Sequence, residues 1–284
     1  MDISVIISNY NNAKYIQECL NSVLSQDKIT LECIVVDDCS SDKSVFDIFN
    51  QYELQYPNFK LIKHSENKGC GEARRTGLKY ATGKYTIFCD SDDCYLHKDY
   101  LYNLFTKAEL TGSELVRSGY TDLNGEHNEQ YESIIEDKQK RISIFQAHPV
   151  TSLWTVLTKR TLWKDIEYCP RPCIEDTPTY VKLLLAANKI VYINDCGYYY
   201  RTNPNSIIQS IYPLKFQLFN TLSHCDIVNE CEKYNVKPRW TREQIFNTFF
   251  TNAKICGWVE ESFKDFKKYL VELDEYYEKF LNKN

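Results

Sequence analysis

The sequence predicts an α/β fold: a mostly parallel sheet with helices on both faces, followed by a helical, aromatic-rich C-terminal annex. Three observations carry that expectation. Short β-branched runs alternate with segments of helical period through the first 120 residues, the rhythm of βαβ units whose crossover helices cover a parallel sheet. Polar clusters follow three of the strand-like runs, at the edge where open sheets of this kind bind ligands. From residue 141 the pattern turns helical, and aromatic residues, 14% of the chain, grow denser after residue 150.

Each element has its own signal. Ile3 to Ile7 (ISVII) reads as a strand, and Ala13 to Gln26 sets Ile16, Leu20 and Val23 on one helical face. ECIVVDD supplies a second strand, and Asp42 to Gln55 spaces Val45, Ile48, Phe49 and Tyr52 as a helix does. FKLIKH is the third strand; Gly69 and Gly71 mark the loop before a helix over Glu72 to Ala81. KYTIFCD forms the fourth strand, Lys98 to Leu110 the next helix, and Ser113 to Asp122 one further strand. Leu123 to Lys140 is a polar excursion. IVYIND and GYYYR read as strands framing a turn, and Leu214 to Tyr234 as a helix. The tail aligns Phe263, Phe266, Leu270, Leu273, Tyr277 and Phe280 in the stripe of an amphipathic helix.

Composition bounds the function. With 284 residues, 43% hydrophobic and 26% charged, the chain can bury a full core and falls among soluble globular proteins. A net charge of −5 and a pI near 5.7 argue against a nucleic-acid partner, because no basic footprint meets a phosphate backbone. Twelve cysteines at irregular spacing, with no C-x-x-C pair, argue for free thiols in a reducing cytoplasm rather than a disulfide framework. CPRPC, Cys169 to Cys173, is the nearest approach to metal-ligand spacing, and it lacks a second pair. Neither a signal peptide nor the roughly 20 apolar residues of a span is evident, so membrane contact is expected to be peripheral at most, at the inner face. The tail helix is open to packing on the core, to pairing in a homodimer, or to a membrane surface, the last disfavoured by its mixed charges.

Asp90, Asp92 and Asp93 crowd three carboxylates at the end of the fourth strand. In extended chain, i and i+2 face one side, so Asp90 and Asp92 converge and Asp93 turns toward them. Hard oxygen donors of this kind suit Mg2+ or Mn2+ shared with substrate phosphates, whereas the plainer reading is a solvated turn with one helix cap. Asp37 and Asp38 end the second strand; Asp38 is placed to accept a hydrogen bond from a base or ribose, while Ser40, Ser41 or Asp42 caps the following helix. Gly69 and Gly71 precede a helix N-terminus able to cradle phosphate, with Arg74 and Arg75 behind them, yet the stretch is neither a P-loop nor a dinucleotide fingerprint. Glu175 and Asp176 open an apolar helix. The helix dipole alone explains acidic residues there, and a general base against an aromatic pocket is the functional reading.

Taken together, SVIISNYNNAKYIQECLNSVLSQ, CIVVDDCSSD, NKGCGEARRTGLKYATGKYTIFCDSDD, SLWTVLTKRTLW, IEDTPTYVKLLL and YYYRTNPNSI resemble the inverting family 2 glycosyltransferases of GT-A fold, whose core is a Rossmann-like sheet. The resemblance covers residues 3 to 208 and is specific in order and spacing. It implies a nucleotide-sugar-binding half over 1–120, an acceptor-binding and catalytic half over 121–208, and a helical extension over 209–284. By position it implies that Ser8, Tyr10 and Asp38 hold the nucleobase and ribose and that Arg74 lies near the nucleotide. Asp92 and Asp93, within the DXD-like DSDD, would lie at the ribose and at a diphosphate-bound Mn2+ or Mg2+, with Asp90 beside them. Asp176 would be the general base, with Glu175 as its neighbour, Trp154 would line the acceptor site, and Arg201 would grip the diphosphate. Three departures stand out: Ser8 where Pro is common, Arg75 for Asn, and Asn203 for His.

The implied partners are a nucleotide-sugar donor, UDP-linked by the family's majority habit, and a glycan or lipid-linked saccharide acceptor. Two rivals remain in view. A nucleotide-sugar-binding or scaffold protein without turnover is disfavoured because both DSDD and the Glu175–Asp176 pair are present. A sugar nucleotidyltransferase needs a glycine- and lysine-bearing N-terminal loop, and SNYNNAKY has no glycine.

Overall fold

The computed structural model describes residues 1–127, 134–147, 152–169, 171, 174–203, 213–255, 271–273 and 275. Its centre is an eight-stranded sheet in the order β3-β2-β1-β4-β10-β6-β11-β9. The strands are β1 (Ile3–Asn9), β2 (Leu31–Asp37), β3 (Phe59–Lys63), β4 (Tyr85–Asp90), β6 (Leu115–Arg117), β9 (Ile134–Ile135), β10 (Val156–Lys159) and β11 (Ile190–Tyr192). β1 pairs in parallel with β2 and β4, so Asn9, Asp37 and Asp90 finish at the same edge. β10 enters antiparallel between β4 and β6.

Ile3, Val5, Ile6 and Ile7 of β1 are fully buried, which is why a central parallel strand reads as a continuous apolar run rather than an alternation. Alternation nevertheless sorts the two faces. Ile3, Val5 and Ile7 pack with helices α1 (Ile16–Leu24), α2 (Ser44–Gln55) and α4 (Tyr100–Thr111). Ile6, Ile34, Val36 and Phe88 pack with α3 (Cys70–Tyr80), α5 (Lys138–Ala147) and α6 (Asp176–Ala186). Gly77 lets α3 lie on β1, since a β-carbon there would stand 2.3 Å from Ile6 Cγ2. Truncating Ile6 to Ala costs about 2–5 kcal/mol by loss of burial and the cavity left behind.

The expected strand over Ser113–Asp122 is two strands in different sheets. The chain breaks at Ser118, whose amide donates to Thr155 O at 3.1 Å and whose hydroxyl bonds Tyr100 at 2.7 Å. β7 (Tyr120–Asp122) then joins a four-stranded sheet, β5-β12-β7-β8, with β5 (Cys94–Tyr95), β8 (Gly125–His127) and β12 (Tyr198–Tyr199). IVYIND and GYYYR therefore do not form a hairpin: β11 belongs to the large sheet and β12 to the small one.

In the annex, α7 (Pro213–Lys233) and α8 (Arg242–Ile255) enclose Leu218, Phe219, Leu222, Ile245, Phe246 and Phe249, with Leu273 against them. Ile227 and Cys231 turn the other flank of α7 onto the core below the sheet. Apart from Leu273, the predicted tail stripe and any pairing through it lie outside the described residues. The ten described cysteines are free thiols, and Cys173 of CPRPC lies outside that set. Among the described residues, no helix is long and apolar enough to cross a membrane.

Candidate active site

Asp90 at the end of β4 and Glu175 and Asp176 at the start of α6 gather around one buried cation. Arg74 rises from α3 with only 3% of its surface exposed. Its Nη2 donates to Asp90 Oδ1 at 2.5 Å. Its Nη1 donates to Asp176 Oδ1 at 2.5 Å, to Glu175 Oε1 at 2.8 Å and to the Tyr168 hydroxyl at 2.7 Å. Tyr168 in turn donates to Asp176. One guanidinium thus joins the end of β4 to the start of α6. Burial disfavours its charge, but Asp176 and Asp90 hold it protonated well above the usual range.

Three carboxylates around one cation leave excess negative charge. Burial, then the Asp176 charge, push Glu175 up to about 8. Burial also raises Asp176, although Arg74 and the Tyr168 hydroxyl pull it back. The two buried carboxylates thus have unlike surroundings, Asp176 being the one drawn back by Arg74 and Tyr168. Asp176 keeps 19% of its side chain exposed and Glu175 9%, so Asp176 has the better access to a substrate.

The rest of DSDD lies close to Asp90 but has other partners. Asp93 is 1% exposed; it accepts from the Tyr198 hydroxyl at 2.6 Å and from the Arg201 amide at 2.8 Å. Burial and Asp90 raise it to about 8, and the same causes raise Asp92. Asp92 takes a 2.8 Å bond from Asn203 Nδ2, the position where the family often has His. Arg201 donates to the Asp92 carbonyl at 2.8 Å and to Glu18 at 2.7 Å, its guanidinium lying against Tyr15 and Tyr199. Among the described residues no three His, Cys, Asp or Glu side chains are arranged to hold one ion. The donor set still fits a hard divalent cation in another way. Asp92 is the half-buried carboxylate of the pair, whereas Asp93 would join an ion by exchanging its bond from Tyr198 or from the Arg201 amide. Such ions take one or two carboxylates with phosphate and water completing the shell.

The other predicted residues lie nearby in differing roles. Ser8 faces Cys70, Oγ to Sγ 3.2 Å. Tyr10 is 49% exposed at the same edge. Asp38 accepts from the Lys68 amide at 2.9 Å and the Gly69 amide at 2.7 Å and bonds His64 Nδ1 at 2.6 Å, fixing the loop before α3. There Gly69 takes a φ of +89°, open to it because it has no Cβ. Asp42 accepts from the Ser44 amide and hydroxyl at the start of α2. Arg75 faces outward to Glu72 and Glu167. Trp154 is 7% exposed and stacks on Tyr198 at 4.3 Å and Tyr200 at 5.4 Å, so little of its ring is left to meet a ligand. Sequence reasoning missed Tyr168, Tyr198 and Glu18. Only the alternation within GYYYR, which turns Tyr198 inward, carried a signal for any of them.

Comparison with known proteins bears on the family and the fold. The family described as "Glycosyl transferase family 2" matches residues 4–166. The poly(ribitol-phosphate) beta-N-acetylglucosaminyltransferase TarS of Staphylococcus aureus is 33% identical over 209 residues, 71% of this chain and 36% of that protein. The glycosyltransferase GlyG of Streptococcus pneumoniae is 27% identical over 229 residues, 75% of each chain. The crystal structure of residues 1–349 of S. aureus TarS with UDP-GlcNAc superposes with a TM-score of 0.69 at 28% identity, over 89% of this chain and 72% of that one. The chain thus spans about a third of TarS as a whole, at 36%.

Proposed function

This chain belongs to glycosyl transferase family 2, and on that premise we propose that it moves a sugar from a nucleotide-sugar, with UDP as the nucleotide, to a hydroxyl of a glycan or lipid-linked saccharide, inverting the anomeric centre. The observation that carries the reading is the bridge from Asp90 through Arg74 to Asp176. It holds the Asp176 carboxylate beside the end of β4, at the edge where open sheets of this kind bind ligands, which supports reading Asp176 as the base. A UDP-GlcNAc complex of a neighbour with 28% identity supports the UDP donor.

The steps follow from the residues. Asp176, oriented by Arg74 and Tyr168, takes the proton of the acceptor hydroxyl as its oxygen bonds the anomeric carbon. The bond from that carbon to the diphosphate breaks on the opposite side, and the nucleoside diphosphate leaves with the electron pair. Glu175 keeps its proton near neutrality, so a single negative charge sits beside the acceptor. Arg201 and the amides at the start of α3 meet the phosphates. Asp92 and Asp93 would hold Mn2+ or Mg2+, whose chemistry when bound is to neutralise charge on the departing diphosphate.

The test is incubation with UDP-sugars, GDP-sugars, an acceptor glycan and Mn2+, with separate assays for nucleoside diphosphate and pyrophosphate. Release of UDP dependent on Asp176 is expected. Pyrophosphate release would make the chain a nucleotidyltransferase, and tight binding without either product a scaffold.

A further inference from the structure

The CPRPC stretch carries a buried cation that the transfer steps do not use. Arg171 is 5% exposed. Its Nη1 donates to Asp226 on α7 and to Cys169 Sγ at 3.3 Å. Its Nη2 donates to Glu272, beside Leu273, at 2.5 Å. The chain around it is tied at further points. Ser223 of α7 donates to the Ile174 carbonyl at 3.0 Å. The Cys169 amide donates to Thr179 Oγ1 at 3.0 Å, and that hydroxyl donates to the Glu175 carbonyl at 2.7 Å. On α3, a β-carbon at Gly71 would lie 2.6 Å from the Cys169 carbonyl and 3.0 Å from that of Arg171. Ile174 sits at a φ of +56°, a left-handed conformation that costs on the order of 1–3 kcal/mol and persists only where surroundings enforce it.

We propose that Arg171 is a positioning residue: through Asp226 and Glu272 it clamps the chain leading into Glu175 and Asp176 to the C-terminal annex, so that the annex sets the orientation of the base. The inference rests on the reading of Asp176 as base. A buried arginine held by two carboxylates from separate segments fixes its own backbone, and Asp176 follows five residues later. A base displaced by about 1 Å loses on the order of 100-fold in rate. Donor binding, made at the ends of β1, β2 and β4, does not depend on the clamp.

The test compares Arg171→Met, Arg171→Lys and Glu272→Gln in the full chain, with kcat, donor KM and Tm measured on each. Arg171→Met is expected to lower kcat at least about tenfold with donor KM within about twofold. Arg171→Lys should recover part of the loss, because an ammonium meets one carboxylate where the guanidinium fork meets two. Glu272→Gln acts at the more exposed partner, with 34% of its side chain accessible. It should lower kcat in the same direction with little change in Tm, and it carries the test if Arg171→Met does not fold. Wild-type kcat in folded Arg171→Lys and Glu272→Gln overturns the clamp, as does a loss of kcat that only tracks Tm. If Asp176→Asn retained turnover, the base assignment itself would fail, which is a separate result.

Discussion

Arg74 and Asp176 stand 102 positions apart in the chain, and their side chains meet at 2.5 Å. That contact fastens α6 to α3, and the second arm of the guanidinium fastens both to β4 through Asp90. Arg74→Met leaves three carboxylates without their cation. Breaking a buried charge network from one side costs about 3–5 kcal/mol, and each kcal/mol lowers Tm by about 2–4 °C for chains of 150–250 residues. The variant should therefore melt well below wild type. Its deficit should shrink as pH falls, because protonation removes the repulsion. Melting curves between pH 5 and pH 8 check this, and a deficit independent of pH would count against it.

Asp176→Asn and Glu175→Gln should separate the acidic pair. Asn cannot take a proton, and loss of a general base costs about 100- to 10,000-fold. Gln reproduces the protonated neighbour, so Glu175→Gln should keep turnover within about tenfold. Because burial raises Asp176, the acid limb of kcat should lie above the ordinary carboxylate range, with activity falling as pH drops through it. Steady-state kinetics on both variants across pH decide the matter.

The parallel half of this fold was legible because its strands are buried on both faces and its helices repeat at 3.6 residues; Ile3, Leu20 and Phe49 each sit where their periods put them. β10 was not legible. Four residues carry no period, and its antiparallel entry between β4 and β6 is set by partners rather than by VLTK itself. The acidic motifs fall at one edge of the sheet, where the ends of β2 and β4 put them. What the pattern hid was how their charges are shared: Arg74 reads as one more residue of α3, and only tertiary packing turns it toward Asp90, Glu175 and Asp176. Tyr168 was invisible for the same reason.

Asp93 offers a readout apart from turnover. Its folded-state pKa is raised to about 8 above an unfolded value near 3.8, so its contribution to stability is greatest below the unfolded value and is lost as pH rises toward 8. In chelator, Asp93→Asn should be the more stable form at pH 8 and gain nothing at pH 4. Mn2+ with UDP should raise the Tm of wild type more than that of the variant, since the ion would relieve the same repulsion. Equal shifts in both would remove Asp93 from metal binding.

Gly71 and Gly77 share one helix and separate packing from catalysis. A methyl at Gly77 would press on Ile6 Cγ2 at 2.3 Å, behind the sheet and within the core. A methyl at Gly71 would instead meet backbone, 2.6 Å from the Cys169 carbonyl, with Glu175 Cγ at 3.3 Å. Both substitutions overpack and should cost about 1–3 kcal/mol. Only Gly71→Ala pushes on the chain that carries Glu175 and Asp176. Its kcat should fall by more than about tenfold beyond that of Gly77→Ala at matched stability, with donor KM similar in the two. Parallel loss of kcat in both variants would mean that the seat on α3 supports the fold and has no part in aiming the base.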